Sequence, residues 1–287
     1  MRNLCVSIML LLLFPSYAFA EDDMHEKEQI YHIYEDINMI PTTNFAYSKP
    51  KITIKTTTPL LESQSLDMNV DDFNQHVQQL IKEEVADFKD QVALNQPYQQ
   101  FGTKQQNNLY IDFDTSVLNI HHHPMISIRF NVQGYVAGTS HPYHRHRVLN
   151  YDLSQGKTIE LADLFNPTSN YVNLLSDYSS NLLLKRLPDK QKVIEGTGPA
   201  LENYKNWNIN PSGLLITFDE SKVAPLAYGS QTVLIPYTLL KPIISVNSPI
   251  AACVKYRKKC SQNNILTGGF MDAAFNASHR AFDPILS

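Results

Sequence analysis

Apolar and polar residues alternate along several stretches of the chain, and alternation with a period of two predicts β-strands. In KITIKTTTP, Ile52 and Ile54 alternate with polar residues. Two longer strands are predicted for NLYIDFDTSVLNI and PMISIRFNVQGYVAG. In the first of these, Tyr110, Asp112 and Asp114 share one face, and the opposite face is apolar.

Two other stretches repeat apolar residues at three- and four-residue spacing, which predicts amphipathic helices packed against a core. The first is NVDDFNQHVQQLIKEEVADFKDQVAL, with Asn69 as its N-cap. Asp71 and Asp72 fall in its first turn, where the helix dipole favours acidic side chains. The second lies in LADLFNPTSNYVNLLSDYSSNLLLKRL. The apolar positions are Val70, Phe73, Val77, Leu80, Ile81, Val85 and Phe88 in the first, and Tyr171, Leu174, Leu175, Tyr178 and Leu182 in the second.

The remaining strands are predicted as pairs joined by turns. HRVLNYDLSQGKTIEL predicts a hairpin in which Gly156 is free to adopt positive φ, and NWNINPSGLLITFDE predicts a second hairpin. TVLIPYTLLKPII adds a last strand. Long strands in hairpins, rather than in regular βαβ alternation, favour an α+β fold. We therefore predict mainly antiparallel sheets with a few packed helices, arranged as two small lobes.

The N-terminus has the three-part pattern of a secretory signal peptide. Arg2 supplies a positive charge, residues 4–14 are apolar, and residues 18–20 form a small-x-small cleavage site. The apolar stretch is shorter than the roughly 20 residues that a spanning helix needs. We expect cleavage after Ala20 and a periplasmic or secreted protein with no transmembrane segment in the mature chain; the alternative is an uncleaved N-terminal anchor.

Changes in pattern divide the chain into five predicted parts. Residues 1–20 are the signal peptide and residues 21–48 a flexible acidic leader. An N-terminal α+β lobe covers residues 49–136 and a C-terminal α+β lobe residues 137–244. Residues 245–287 form an irregular tail with a disulfide loop.

The predicted mature chain is mildly acidic. Without Arg2, 23 of the 24 basic residues remain against 28 acidic ones, which gives a net charge of −5. This balance argues against nucleic acid as a partner, because duplex binding normally requires a basic surface stripe. An acidic surface instead attracts cationic partners.

Two cysteines, Cys253 and Cys260, remain after the predicted cleavage. An even number of cysteines in an oxidising compartment favours a disulfide between them. A metal-binding pair and two free thiols are the alternatives.

Six histidines fall within residues 121–146, three of them consecutive at residues 121–123. A zinc site needs three or four converging ligands. His144 and His146 would share one face of a strand, and with His141 they form the candidate metal set. No HExxH motif is present, and residues 121–123 precede Pro124 in a predicted loop. We therefore expect neither a metal site nor a cofactor.

No motif in the sequence assigns a catalytic residue. There is no GxSxG motif, and the expected disulfide removes both thiols as nucleophiles. Asp112 and Asp114 could serve as the paired carboxylates of glycosidic chemistry. Neighbouring aspartates on one strand face are more often simply solvated. The sequence leaves enzymatic activity open and favours a protein that is not an enzyme, with a metal-dependent or carboxylate-based hydrolase of cell-wall polymer as the alternative.

The stretch GYVAGTSHPYHRHRVLNYDLSQGKTIELADLF begins a series of short motifs. Their positions are 137–141, 150–153, 156–157, 161–165, 224–229 and 233–236. The series resembles a bacterial extracytoplasmic family of unknown function. Its best-known members are the lysozyme-sensing ectodomain of the anti-sigma factor RsiV and the N-terminal region of the peptidoglycan deacetylase PdaC. The resemblance covers residues 49–244, and Ala137 and Pro142 stand where the family has glycines.

The resemblance implies a role for the turn at residues 137–141. The binding residues that it implies are Ser140, His141, Tyr143 and Asn150, with the ring of His141 bonded near the turn. His144 and His146 match no motif of the family, so we expect both to be surface residues.

The resemblance also implies a function. The family's deacetylase and anti-sigma members owe their activities to further parts of their chains, so we expect the exported module alone. We predict an envelope-associated binding module whose ligand is a lysozyme-like protein or a peptidoglycan-related glycan. The sequence leaves the ligand and the oligomeric state open. The hydrolase alternative requires His141, His144 and a carboxylate to converge in one pocket.

Overall fold

A computed structural model describes residues 30–48, 52–64, 69–99, 106–120 and 123–255. Over these residues the fold is α+β with mainly antiparallel sheets, as predicted. No helix in these ranges has both the length and the hydropathy needed to cross a bilayer. The predicted signal peptide and Cys260 lie outside the described residues, so the cleavage site and the disulfide remain predictions.

The strands form a seven-stranded sheet in chain order and a three-stranded sheet in the order β10-β9-β8. All neighbouring strands are antiparallel except β3 and β4, which helix α1 connects. A parallel pair requires such a crossover. The strands are β1 (Tyr31–Tyr34), β2 (Ile37–Ser48), β3 (Ile52–Glu62), β4 (Asn107–Ile120), β5 (His123–Tyr135), β6 (Tyr143–Asp152), β7 (Lys157–Thr158), β8 (Trp207–Asn210), β9 (Gly213–Phe218) and β10 (Gln231–Pro236).

The helices divide between the two sheets. The long helix α1 packs on one face of the seven-stranded sheet, whereas α2 and α3 pack with the three-stranded sheet. The bounds are α1 (Val70–Gln99), α2 (Tyr171–Arg186), α3 (Lys190–Thr197), α4 (Tyr237–Leu240) and α5 (Ala251–Lys255). The two predicted long helices are therefore confirmed. Three 3-10 turns, Leu161–Leu164, Leu201–Tyr204 and Leu226–Tyr228, lie in the connections.

Two hydrophobic cores correspond to two lobes, but the lobe boundary differs from the prediction. The predicted boundary after residue 136 falls between β5 and β6, which pair from Met125↔Asp152 to Gly134↔Tyr143. After β5, buried side chains belong to the first core up to Leu153 and to the second core from Ile159, and Leu118 and Met125 of the large sheet also pack in the second core. Composition does not distinguish the β5–β6 hairpin loop from a lobe boundary, because it carries no information on backbone pairing.

The prediction of a flexible leader is wrong for residues 31–48, which form β1 and β2. Ile33, Ile37 and Met39 are buried in the first core. β2 pairs with β3 along its whole length, from Ser48↔Ile52 to Asn38↔Glu62. Residues 43–48 are exposed, so this part of β2 lacks the alternation that marks a half-buried strand.

The prediction of an irregular tail is wrong for residues 251–255, and residues 245–250 are irregular but packed. Ile250 and Cys253 are completely buried in the second core, and residues 251–255 form α5. Just before this segment, Ile244 forms a bridge with Phe165. The segment is too short for a helical pattern to emerge from the sequence, although its apolar residues complete the core.

Side-chain amides attach α1 to the sheet. Asn74 bonds both backbone groups of Leu61, its Oδ1 accepting from the N–H and its Nδ2 donating to the carbonyl, each at 2.9 Å. Asn69, predicted as the N-cap, donates from Nδ2 to the carbonyl of Leu153 at 3.0 Å. Gly156 has a φ of 62°, as predicted, and a Cβ there would lie 2.5 Å from the Asn69 side chain. The entry of α1 is therefore tied to the β6–β7 turn.

Candidate functional site

The four residues that the family resemblance assigned to binding do not form one site. Ser140 and His141 are exposed in the loop between β5 and β6. The His141 ring lies close to its own turn, with Nδ1 3.0 Å from the Pro142 carbonyl oxygen. Tyr143 and Asn150 occupy two different packed environments further along β6.

Tyr143 covers a glycine on the neighbouring strand. It lies opposite Gly134 in the β5–β6 ladder, and a Cβ on Gly134 would come within 2.2 Å of the tyrosine ring. Burial raises the pKa of Tyr143 above its ordinary value. Its hydroxyl is buried and has no hydrogen-bond partner among the described residues. This side chain packs the hairpin rather than presenting its hydroxyl to a ligand.

Asn150 joins the two sheets. Its Oδ1 accepts from Ser127, and its Nδ2 donates to the Trp207 carbonyl at 3.0 Å. Asn208 donates to Ser127 Oγ at 3.0 Å, and the Ile209 N–H donates to the same oxygen at 2.9 Å. A polar network therefore lies between the large and the small sheet, and Asn150 is one of its members.

His146 is not a surface residue, contrary to the prediction. Its side chain is 8% exposed, and both its backbone N–H and its ring Nδ1 contact Asp219 Oδ1, at 2.9 and 2.7 Å. Asn206 donates to the other oxygen of Asp219 at 3.0 Å. Asp219 follows β9, so its carboxylate ties the small sheet to the outer edge of β6. His144 is 41% exposed and lies 2.8 Å from Glu220, which agrees with the surface prediction.

The three histidines of the candidate metal set point to different partners. His141 lies against its own turn, whereas His144 and His146 each contact a separate carboxylate. In the described ranges, no group of three or more His, Cys, Asp or Glu side chains is arranged to hold a metal ion. His121 and His122 lie outside those ranges.

The two candidate catalytic carboxylates have different surroundings. Asp114 is buried and accepts from Arg129 Nη2 at 2.8 Å and from Asn131 Nδ2 at 3.2 Å. Arg129 is completely buried and also donates to Thr217 of the small sheet at 3.1 Å. Asp112 is exposed and accepts from Asn131 at 2.7 Å. Asp114 is engaged in packing, so only Asp112 of this pair faces solvent.

One polar face of the large sheet remains exposed beside the small sheet. The strand registers place Tyr110 beside Gln133 and His144 in one row, and Asp112 beside Asn131 and His146 in the next. Asp219 and Glu220 border these rows through their histidine contacts. We call Tyr110, Asp112, Asn131, Gln133 and His144 the open face. It presents an aromatic ring, a carboxylate and two amides to solvent.

A polar cleft of about 400 Å³ runs along the outer edge of β6. At one end the completely buried Glu84 of α1 accepts from Arg145 Nε at 3.0 Å and from Arg147 Nη1 at 2.8 Å. Glu83 and Asp87 add outer contacts of 3.4 Å to the same two arginines. These charges attach α1 to β6 and are already matched within the protein.

Three carboxylates of these contacts are not predicted from the sequence: Asp219, Glu220 and Glu84. The first two directly follow the strand pattern of GLLITFDE, and nothing local indicates that they reach β6. Glu84 carried a signal, because it lies seven residues after Val77 and four before Phe88 in the apolar stripe of α1. A carboxylate at a position where the stripe calls for an apolar residue indicates a buried, paired charge.

His146 is expected to contribute measurably to stability. Replacing it with alanine removes a buried contact to a carboxylate, so the free energy of unfolding should fall by about 1 to 2 kcal/mol in urea denaturation. The matched control is His144→Ala, which removes an exposed contact to Glu220 and should change stability by less than about 0.5 kcal/mol. If the two substitutions lowered stability equally, the conclusion that His146 is buried and His144 is exposed would be contradicted.

Comparisons with known proteins give the family context of this fold. Residues 162–238 match the family described as a protein of unknown function, DUF3298. The peptidoglycan-N-acetylmuramic acid deacetylase PdaC of Bacillus subtilis strain 168 is 28% identical over 146 residues. That match covers 50% of this chain and 30% of PdaC. The predicted resemblance is confirmed: residues 162–238 match the DUF3298 family, and half of the chain is similar to part of PdaC.

Two crystal structures of DUF3298 proteins resemble the fold. One, from Bacteroides fragilis NCTC 9343, has a TM-score of 0.51 at 17% identity and covers 79% of this chain and 99% of its own. The other, from Pseudomonas aeruginosa PAO1, has a TM-score of 0.49 at 14% identity and covers 75% and 96% of the two chains. At 17% identity, the likeness to the first structure concerns the fold alone.

Proposed function

We propose that this protein is an exported, envelope-associated binding module that takes a cell-wall glycan on its open face. The observation that carries this proposal is the exposed ring of Tyr110 beside Asp112, Asn131 and Gln133. An aromatic ring offers a flat apolar surface to the C–H groups of a sugar. Carboxylate and amide groups supply the acceptors and donors that sugar hydroxyls require.

The similarity to PdaC supports this class of ligand. PdaC is by name a deacetylase of peptidoglycan N-acetylmuramic acid, and the match spans only 30% of it. We therefore take from PdaC the kind of polymer and not the reaction. The signal-peptide pattern at residues 1–20 supports a periplasmic or secreted location, where such a polymer is accessible.

A lysozyme-like basic protein is the second candidate ligand. Helix α1 carries six acidic and two basic residues. Three of these carboxylates contact the arginines of β6, whereas Asp71 and Asp90 are exposed and keep part of the acidic excess of the chain on the surface. Such a surface accelerates association with a cationic protein, and salt weakens the attraction. The acidic residues are Asp71, Asp72, Glu83, Glu84, Asp87 and Asp90.

The hydrolase alternative has less support. It requires that the carboxylates of Asp112 and Asp114 both act on a substrate. Asp114 instead accepts hydrogen bonds from Arg129 and Asn131. It also requires His141 and His144 to converge with a carboxylate, whereas His144 contacts Glu220 and His141 its own turn.

Binding to purified peptidoglycan tests the proposal. Residues 21–287 are incubated with insoluble sacculi, and the bound fraction is measured across protein concentrations. Tyr110→Ala is expected to weaken binding by about tenfold, equivalent to about 1.4 kcal/mol. Tyr228→Ala removes a similarly exposed tyrosine from the 3-10 turn Leu226–Tyr228 and should leave binding unchanged.

A parallel calorimetric titration with hen egg-white lysozyme separates the two ligands. Binding that is insensitive to Tyr110→Ala and weakened by salt would support the basic protein instead of the glycan. Wild-type protein that is neither retained by sacculi nor titrated by lysozyme would overturn both assignments.

A further inference from the structure

Among the described residues, the outer edge of β2 has no partner over most of its length. β1 pairs with β2 only at Ile37, Asn38 and Met39. From Ile40 to Ser48, no other described strand pairs with this edge. Natural sheets usually protect an open edge with lysine, proline or a bulge. Beyond Pro41 the sequence TTNFAYS contains neither a charge nor a proline.

The register shows which backbone groups face outward. Pro41 lies opposite Pro59 in the β2–β3 ladder, and prolines have no N–H to exchange. The pair is therefore a non-hydrogen-bonded one, and such pairs recur at every second residue of an antiparallel ladder. Thr43, Phe45 and Tyr47 are at equivalent positions, so their N–H and C=O groups point away from β3. The open edge offers three donors and three acceptors in the spacing of a strand.

An apolar groove of about 480 Å³ lies beside this edge, between the β2–β3 ribbon and α1. Val77, Ile81 and Val85 of α1 form its apolar side, with Asn44 on the strand side. Side chains of a strand added to β2 would alternate between this groove and the opposite face. Peptides that add a strand to a sheet obtain affinity from main-chain bonds and specificity from such pockets.

The charge of the groove indicates the chemistry of its occupant. Lys82 and Lys89 line it and are exposed. The acidic Glu83 and Asp87 instead approach β6, where they contact arginines. The flank of α1 that faces β2 is therefore basic. A second copy of this chain, paired edge to edge around a twofold axis, would bring two such basic flanks together.

We propose that the outer edge of β2 is a docking site for an extended peptide segment with apolar and acidic side chains facing the α1 groove. The peptide forms a strand along Thr43, Phe45 and Tyr47. Its apolar side chains pack on Ile81 and Val85, and its carboxylates meet Lys82 and Lys89. This surface is separate from the open face proposed for glycan.

A synthetic probe peptide tests the docking mode. Fluorescein-labelled ETVTVTE places valine and glutamate on one face, and its binding to residues 21–287 is followed by fluorescence anisotropy. Two variant peptides are made. One is N-methylated at the amides of the two valines, and the other at the amides of the three threonines. Because only alternate amides of an added strand point to β2, one variant should lose binding by about tenfold or more and the other should keep it.

Protein variants locate the site. The double substitution Lys82→Glu with Lys89→Glu is expected to weaken binding of the probe peptide by about tenfold. Lys222→Glu, at an exposed lysine outside the groove, should leave that binding unchanged. Thr43→Pro removes an outward N–H and keeps the backbone bonds of the β2–β3 ladder, although it loses the exposed hydroxyl contact between Thr43 and Thr57. The circular dichroism spectrum should therefore persist while binding falls. Equal binding of both methylated peptides, or no binding of the unmodified one at millimolar concentration, would overturn the proposal. A concentration-dependent dimer abolished by Thr43→Pro, without peptide binding, would assign the edge to a second copy instead.

Discussion

Replacing Asp114 with alanine is expected to lower the free energy of unfolding by about 3 to 5 kcal/mol. The substitution removes the carboxylate that Arg129 Nη2 contacts at 2.8 Å, and the guanidinium is completely buried. Removing one partner of a buried ion pair costs more than the pair itself contributes, because the remaining charge cannot be hydrated. Urea denaturation followed by circular dichroism measures the loss.

The double substitution Asp114→Leu with Arg129→Met separates charge from packing. It replaces both charges with apolar side chains of comparable size, a change that is often neutral or stabilising in buried pairs. We expect this double variant to recover most of the stability that Asp114→Ala loses. It should not recover the contribution of the hydrogen bond from Arg129 to Thr217, which it also removes. If Asp114→Ala lowered the free energy of unfolding by less than about 1 kcal/mol, water would have to reach the Asp114–Arg129 pair.

The elements that the sequence predicts well are those whose pattern is local and long. Helix α1 is predictable because its apolar stripe repeats over many turns. It begins at Val70, directly after the predicted N-cap Asn69. β4 and β5 are likewise evident from alternation on a sheet with one apolar and one polar face. Local pattern is sufficient wherever one face of an element is buried throughout.

The elements that the sequence does not reveal depend on distant partners. β2 is held by β3, and its second half is exposed, so its own residues show no period. His146 resembles a surface histidine until Asp219, 73 residues later, folds back onto it. The family motif implies a binding role for Asn150, and in the structure its side chain joins the two sheets through Ser127 and Trp207. Motif order recognises the fold, but it does not distinguish a ligand contact from a packing contact.

The double substitution Arg145→Met with Arg147→Met is expected to cost about 3 to 5 kcal/mol, because it leaves the carboxylate of Glu84 buried without a cation. The converse change, Glu84→Gln, should cost less, about 1 to 2 kcal/mol, since water can solvate arginines that are 30% and 41% exposed. Adding Glu84→Gln to the double variant should restore stability, which unfolding in urea would show. Glu84→Gln could instead prove costlier than the double arginine substitution. In that case the arginines left without a carboxylate would be the costlier charges, and the docking of α1 on β6 would depend on them and not on Glu84.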